Sequence, residues 1–271
     1  PVASPIRTAF LHMKMDKARE KFESSPFNRY IGPDKADLLI ITCGSCWLYS
    51  RDAVKALKLE DRVGILKLGT LWPLPEKFVS EHLNKSQNVL FVEEIDPFLE
   101  RGIMEVAANL PPSGPHPTFF GKRSGHLNAY GELNPDMVIK AITRILNISY
   151  QPRDVEYGKK AEAYTKSYVP GRSMTFCPGC PHRATFWAIK NALKLDGRNG
   201  FVTGDIGCYS MALGPAGFFQ VRTMHCMGGG IGVANGLGKL GQFGFNQPVL
   251  AVVGDSTFYH AAIPALVNGI Y

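Results

Sequence analysis

Near the end of the chain an unbroken apolar run, Pro248-Val249-Leu250-Ala251-Val252-Val253, leads into Gly254-Asp255-Ser256. Such a run reads as a buried strand that delivers a glycine and then a carboxylate to its C-terminal tip. Similar runs occur earlier. Leu38 to Cys43, Val63 to Leu68 and Asn88 to Val92 each predict a strand, and turn or helix residues separate them. Helical spacing is predicted over Asp52 to Leu59, with Ala53, Val54, Ala56 and Leu57 on one side, over Pro75 to Leu83, and over Phe98 to Leu110. A further helix opens at Asn134-Pro135, where proline suits a first turn, and runs through Leu146. Strands alternating with helices imply parallel pairing through right-handed crossovers.

The flanks read differently. Residues 1–36 mix charge with a helix-like stretch, Ala9 to Phe22, and a breaker at Ser24-Ser25-Pro26, which predicts a connecting segment. Residues 151–172 are polar and predict an irregular linker. A second α/β unit is expected over 173–271, with a helix from His182 to Leu195, a short strand at Phe201-Val202-Thr203, a glycine-rich helix entry, the strand ending at Val253, and a last helix from about His260. The expected fold class is therefore α/β, two three-layer domains on parallel sheets, spanning 37–150 and 173–271.

Composition narrows the function classes. The 271 residues, 45% hydrophobic and 20% charged, suffice for two domains with their own cores. No apolar run approaches the roughly 20 residues of a membrane helix, and no signal-peptide pattern opens the chain, so a cytoplasmic protein without membrane attachment is expected. The net charge of +7 is spread along the chain with no arginine-rich stripe, which argues against nucleic acid and is compatible with anionic small molecules or an acidic redox partner. The chain opens at Pro1 and closes at Tyr271 with a motif half complete; both ends are expected to be edges of a fragment.

In open α/β sheets, ligands bind at the C-terminal ends of the strands. Asp255 at such a tip is either a helix cap or an oxygen ligand for a hard divalent cation that bridges a diphosphate. Met227-Gly228-Gly229-Gly230-Ile231-Gly232 opens a helix whose backbone permits close approach, either of a ligand to its N–H groups or of a neighbouring helix. A dinucleotide fingerprint would need glycine where Asn235 stands. A P-loop would need glycine at Val233 and Ser or Thr at Leu240. Cys177-Pro178-Gly179-Cys180 suits a zinc half-site, a redox pair or a cluster anchor. With Cys208, in Gly204-Asp205-Ile206-Gly207-Cys208 at another predicted tip, it offers three thiolates to an iron–sulfur cluster or three small buried residues. Cys43-Gly44-Ser45-Cys46 is read as structural. His182 and His225 lie beside these loops, either as structural groups or as ligands of a substrate carboxylate.

Taken together these residues resemble the alpha subunits of indolepyruvate ferredoxin oxidoreductases, in the 2-oxoacid:ferredoxin oxidoreductase superfamily of thiamine-diphosphate enzymes. The resemblance is carried by Cys177-Pro178-Gly179-Cys180-Pro181-His182-Arg183, Gly204-Asp205-Ile206-Gly207-Cys208, Cys226-Met227-Gly228 and Gly254-Asp255-Ser256-Thr257-Phe258. Gly64 to Thr70, Val92-Glu93-Glu94 and Gly131 to Asp136 add to it in the first domain, and Ser25-Pro26-Phe27-Asn28 looks like the linker before that domain. It implies a transketolase-C-terminal-like domain followed by a truncated thiamine-diphosphate-binding domain. The implied reaction is oxidative decarboxylation of an aryl pyruvate to an arylacetyl-CoA with electrons passed to ferredoxin; pyruvate or branched-chain 2-oxoacids, or a metal-binding redox scaffold without catalysis, are the alternatives. It further implies thiamine diphosphate on Gly254, Asp255, Ser256, Ile206, Gly207, Cys208, Met227, Gly228, Gly229 and Gly230, with Mg²⁺ on Asp255. Cys177, Cys180 and Cys208 fall where relatives hold an iron–sulfur cluster. A beta subunit is the implied partner in a hetero-oligomer, and the activating Glu belongs to an upstream domain outside this chain.

Overall fold

The computed structural model describes residues 3–111, 114, 116–151, 153–171 and 173–271; Pro1, where the chain opens, lies outside them. The chain divides into two compact units, Pro1–Val155 and Glu156–Tyr271. Among the described residues no helix is long and apolar enough to cross a membrane.

The first unit runs α1 (Ala3–Glu23), β1 (Arg29–Ile31), β2 (Leu38–Cys43), α2 (Cys46–Leu57), β3 (Val63–Leu68), α3 (Glu76–Leu83), β4 (Asn88–Val92), α4 (Phe98–Ala108), β5 (Thr118–Phe120) and α5 (Pro135–Leu146). Its sheet has the order β1-β3-β2-β4-β5, parallel except for β1. The period of two along each strand builds three layers. Leu38, Ile40, Val63, Ile65, Leu90 and Val92 face a core shared with Ala53 and Val54 of α2 and Val138 and Ile142 of α5. Leu39, Ile41, Leu66, Leu68, Val89 and Phe91 face the other core, with Val79 and Leu83 of α3 and Leu99 and Ile103 of α4. Strands β2, β3 and β4 have the bounds their apolar runs predict.

The segment expected to be a connector is built into this unit. Arg29–Ile31 pairs antiparallel with β3 along the sheet edge. Asn28, nearly buried, donates to Phe22 O and Thr70 Oγ1 and accepts from the Gly69 and Thr70 N–H groups, so one side chain ties the turn after α1 to the end of β3. The Glu23 carboxylate accepts from Lys77 N at 3.0 Å and Phe78 N at 2.8 Å, satisfying the open N–H groups of α3. Glu93, buried after β4, does the same for α4 through Leu99 N and Glu100 N. Burial holds its acid above the ordinary carboxylate range in spite of those two bonds. Helix α2 begins at Cys46, six residues before its predicted start at Asp52, because Cys46 and Ser50 extend the buried stripe toward β2.

The stretch read as an irregular linker contains α6 (Val155–Tyr168), which buries none of its side chains and is stabilised locally by Glu–Lys pairs at 156–159 and 162–166. The second unit continues with α7 (Pro181–Asp196), β6 (Phe201–Thr203), 3₁₀ turns at Cys208–Leu213 and Pro215–Gly217, β7 (Val221–Thr223), α8 (Gly229–Gly238), β8 (Val249–Ala251), α9 (Asp255–Thr257) and α10 (Ile263–Ile270). Its sheet is parallel in the order β7-β6-β8. Phe176, Phe186, Val202, Ala212 and Val221 form its core, with the two phenylalanine rings stacked 5.8 Å apart. Strand β8 departs from expectation. Only Val249–Ala251 is strand, and Leu250 and Ala251 are exposed. It lies at the sheet edge, so an apolar run that reads as buried has no neighbouring strand on its outer side among the described residues. A π turn over Phe258–Ala262 joins α9 to α10. Pro264, in the first turn of α10, has no N–H for an ordinary helical bond to His260.

Candidate functional site

Two strands of the second unit end in the same dipeptide. Gly204-Asp205 follows β6 and Gly254-Asp255 follows β8, its parallel neighbour. The two aspartates have opposite surroundings. Asp255 is exposed. The N-cap position of α9 belongs to Gly254, and Asp255 sits inside the first turn, its Oδ1 accepting from the adjacent Ser256 N–H at 2.8 Å. Asp205 has no exposed surface at all. Its Oδ1 accepts from Ile206 N at 2.7 Å and from Gly228 N at 3.1 Å, which ties the tip of β6 to the entry of α8. Its Oδ2 is buried and lacks a hydrogen-bond partner among the described residues.

A second tie joins β6 to β8. The Tyr209 hydroxyl donates to Ile206 O at 2.8 Å and accepts from Gly254 N at 3.0 Å. A Cβ at Gly254 would lie 2.6 Å from that hydroxyl, so this glycine is required for the β8 tip to reach it. Thr203, fully buried, donates to Gly230 O at 2.8 Å, with Leu250 O a second acceptor 3.3 Å from the same hydroxyl. Three short segments, 204–208, 227–230 and 254–256, are thereby gathered at the C-terminal edge of the sheet. That is where α/β folds place ligands.

The glycine-rich entry serves packing first. A Cβ on Gly230 would come within 2.5 Å of Gly204 O, and one on Gly228, whose φ is +84°, within 2.8 Å of Ala261 Cβ. Both glycines are thus explained by close approach within the protein. Gly229 and Gly207 border the loops, Gly207 with φ +153° under the Tyr209 ring, while Ile206, Cys208, Met227 and Ser256 are exposed.

The remaining sequence candidates separate. His182 sits between the rings of Phe176 and Tyr209, with centroids 5.5 and 5.7 Å away, and so joins the strand-tip group through Tyr209. His225 is exposed and its Nε2 pairs with Thr223 Oγ1 at 3.1 Å. Cys177 and Cys208 are exposed and Cys180 is partly covered. Among the described residues no three His, Cys, Asp or Glu side chains converge to hold a metal, so these thiols are not assembled as a ligand set. The Cys177–Cys180 loop is instead held to α7 by Arg183, which donates to Phe176 O, Cys177 O and Thr175 Oγ1.

Asp205 and Tyr209 escape sequence reasoning. The repeated Gly-Asp dipeptide is the signal that marks Asp205; Tyr209 carries none, because its partners lie in another strand's tip.

In the first unit, burial and the nearby Glu93 push the Cys43 thiol up to about 11. Burial and then Glu94 push Cys46 up to about 12. Both are neutral thiols at ordinary pH, which agrees with a structural reading of that pair.

Comparison with known proteins matches residues 36–125 to the family described as pyruvate:ferredoxin oxidoreductase core domain II. Residues 205–271 match the thiamine pyrophosphate enzyme C-terminal TPP-binding domain. Similar curated proteins are indolepyruvate oxidoreductase subunits IorA. That of Archaeoglobus fulgidus is 34% identical over 264 residues, covering 95% of this chain and 38% of the relative. That of Methanothermobacter marburgensis is 31% identical over 275 residues, covering 100% and 41%. That of Pyrococcus horikoshii is 35% identical over 271 residues, covering 95% and 40%. The chain thus spans about two fifths of the length of these relatives. Among solved structures, 2-oxoglutarate:ferredoxin oxidoreductase from Magnetococcus marinus aligns at 19% identity with a TM-score of 0.39, over 52% of this chain and 24% of that one. The chain thus carries a pyruvate:ferredoxin oxidoreductase core domain II followed by a thiamine pyrophosphate-binding domain, and along nearly its whole length it is similar to part of the IorA subunits.

Proposed function

We propose that this chain carries the diphosphate-binding half of a thiamine-diphosphate site in an enzyme that oxidatively decarboxylates a 2-oxoacid, an aryl pyruvate such as indolepyruvate, to its acyl-CoA and passes the electrons to ferredoxin. The observation that carries this reading is the gathering of 204–208, 227–230 and 254–256 at one sheet edge, with Asp255 exposed among them. Thiamine diphosphate supplies, when bound, an electron sink for loss of carbon dioxide from a 2-oxoacid. The residues present fit its charged end. Asp255 offers a hard oxygen ligand to Mg²⁺ of the kind that commonly shares a metal with phosphate oxygens, and the N-terminus of α8, whose dipole favours an anion, is tied to the same edge. Tyr209 and Asp205 hold the loops at a set spacing, so the ligand meets a preorganised frame. His182, whose ring packs near both Phe176 and Tyr209, is the residue we propose for a substrate carboxylate. The described cysteines do not fit a cluster, and none enters the reading.

IorA is the name of a subunit, and the proposed active form here is a hetero-oligomer with a beta subunit. In the full-length assembled protein, Mg²⁺ and thiamine diphosphate are expected to raise the melting temperature. Asp255→Ala is expected to weaken cofactor binding about tenfold or more without changing the melting temperature of the unliganded protein. An unliganded wild type whose melting point ignores both additions would remove the reading. Steady-state rates with indolepyruvate against pyruvate test the substrate class.

A further inference from the structure

We infer that Asp205 makes anion binding at the entry of α8 depend on a divalent cation, on the reading that a diphosphate is seated there. A free helix N-terminus attracts anions through its open N–H groups and its dipole. The entry of α8 already holds one. Asp205 Oδ1 occupies the Gly228 N–H at 3.1 Å, and Oδ2 lies buried beside it without a donor among the described residues. No ion pair to Asp205 is present among those residues either. Both N–H groups fall on Oδ1, so Oδ2 faces the entry without a donor among the described residues, and burial keeps solvent from it. A diphosphate approaching Gly228, Gly229 and Gly230 therefore meets a like charge. A divalent cation arriving with it offsets that repulsion, and Asp255, at the tip of the adjacent strand, is exposed to ligate the cation. The two Gly-Asp tips divide the work: Asp255 takes the metal, and Asp205 disfavours a diphosphate that comes without one.

The charge can be removed while the tie is kept. In Asp205→Asn the remaining oxygen still accepts from Ile206 and Gly228, and Asp205→Ser is a second neutral variant with an acceptor. In the full-length protein, pyrophosphate and thiamine diphosphate are titrated calorimetrically, with EDTA and with Mg²⁺, and folding is followed by circular dichroism. Wild type is expected to bind pyrophosphate only with Mg²⁺. The neutral variants are expected to bind metal-free pyrophosphate about tenfold tighter than wild type or better, so that their Mg²⁺ dependence shrinks by the same factor. Tyr209→Phe, which removes the other tie without changing charge, is expected to keep the wild-type Mg²⁺ dependence. Neutral variants as Mg²⁺-dependent as wild type would overturn the inference. So would a wild type that binds pyrophosphate equally well in EDTA. A wild type that binds no thiamine diphosphate even with Mg²⁺ would instead overturn the cofactor reading, and the pyrophosphate comparison would still measure the effect of the Asp205 charge.

Discussion

Asp205 and Asp255 follow the same residue type at the tips of adjacent strands, yet one is buried and tied while the other is exposed. Nothing local distinguishes them; the difference is the α8 entry, which reaches the β6 tip. Cysteines divide in the same way. Cys177, Cys208 and Cys226 are exposed, whereas Cys46 is buried and neutral at ordinary pH. Exposed thiols are expected to react with a thiol-directed reagent at pH 8 while Cys46 reacts only after denaturation, a contrast that peptide mapping after timed alkylation can read. The Cys43 and Cys46 thiols ionise near 11 and 12 when folded and near 9 when unfolded. Between those values the unfolded chain gives up protons that the folded chain keeps. Stability therefore falls as pH rises from about 9 toward 12, and replacing both cysteines with alanine is expected to flatten that part of a denaturation-against-pH curve.

Elements with one apolar stripe or one unbroken run were legible from the chain; those defined by pairing were not. Strands β2, β3 and β4 have their predicted bounds because each is buried on both faces in the middle of a sheet. Strands β1, β5 and β7 are three residues long and lie at sheet edges, where a partner and not a run of apolar residues makes the strand. Helix α8 was legible as a glycine-rich entry, but not as a helix packed so closely that glycine is demanded by Gly204 O and Ala261. Gly230→Ala is expected to destabilise the second unit by about 2 kcal/mol, since the obstructing atom is backbone. Chemical denaturation of wild type and variant checks this; a difference near zero would mean that α8 can shift away from β6.

For the whole molecule, the chain divides after Val155, at the start of a stretch that composition reads as an irregular linker. Helix α6 buries no side chain, and an isolated helix of its 14 residues is marginal in water. Limited trypsin digestion of this chain is expected to cut first at Lys159, Lys160 or Lys166, leaving two resistant fragments. First cuts within either sheet would count against that order of stability. What the sequence determined by itself was the α/β class, the parallel pairing and a resemblance to the 2-oxoacid:ferredoxin oxidoreductases. Each of these depends on periodicity or on residues close together along the chain. Only the tertiary structure decided that residues 1–36 belong to the first unit, and that Asp205 and Tyr209 bind three loops into one frame. Those outcomes depend on contacts between segments remote in sequence, which no local pattern encodes. Beyond β8 the sequence placed an exposed carboxylate; beyond β6 the fold buried a second one at the entry of α8.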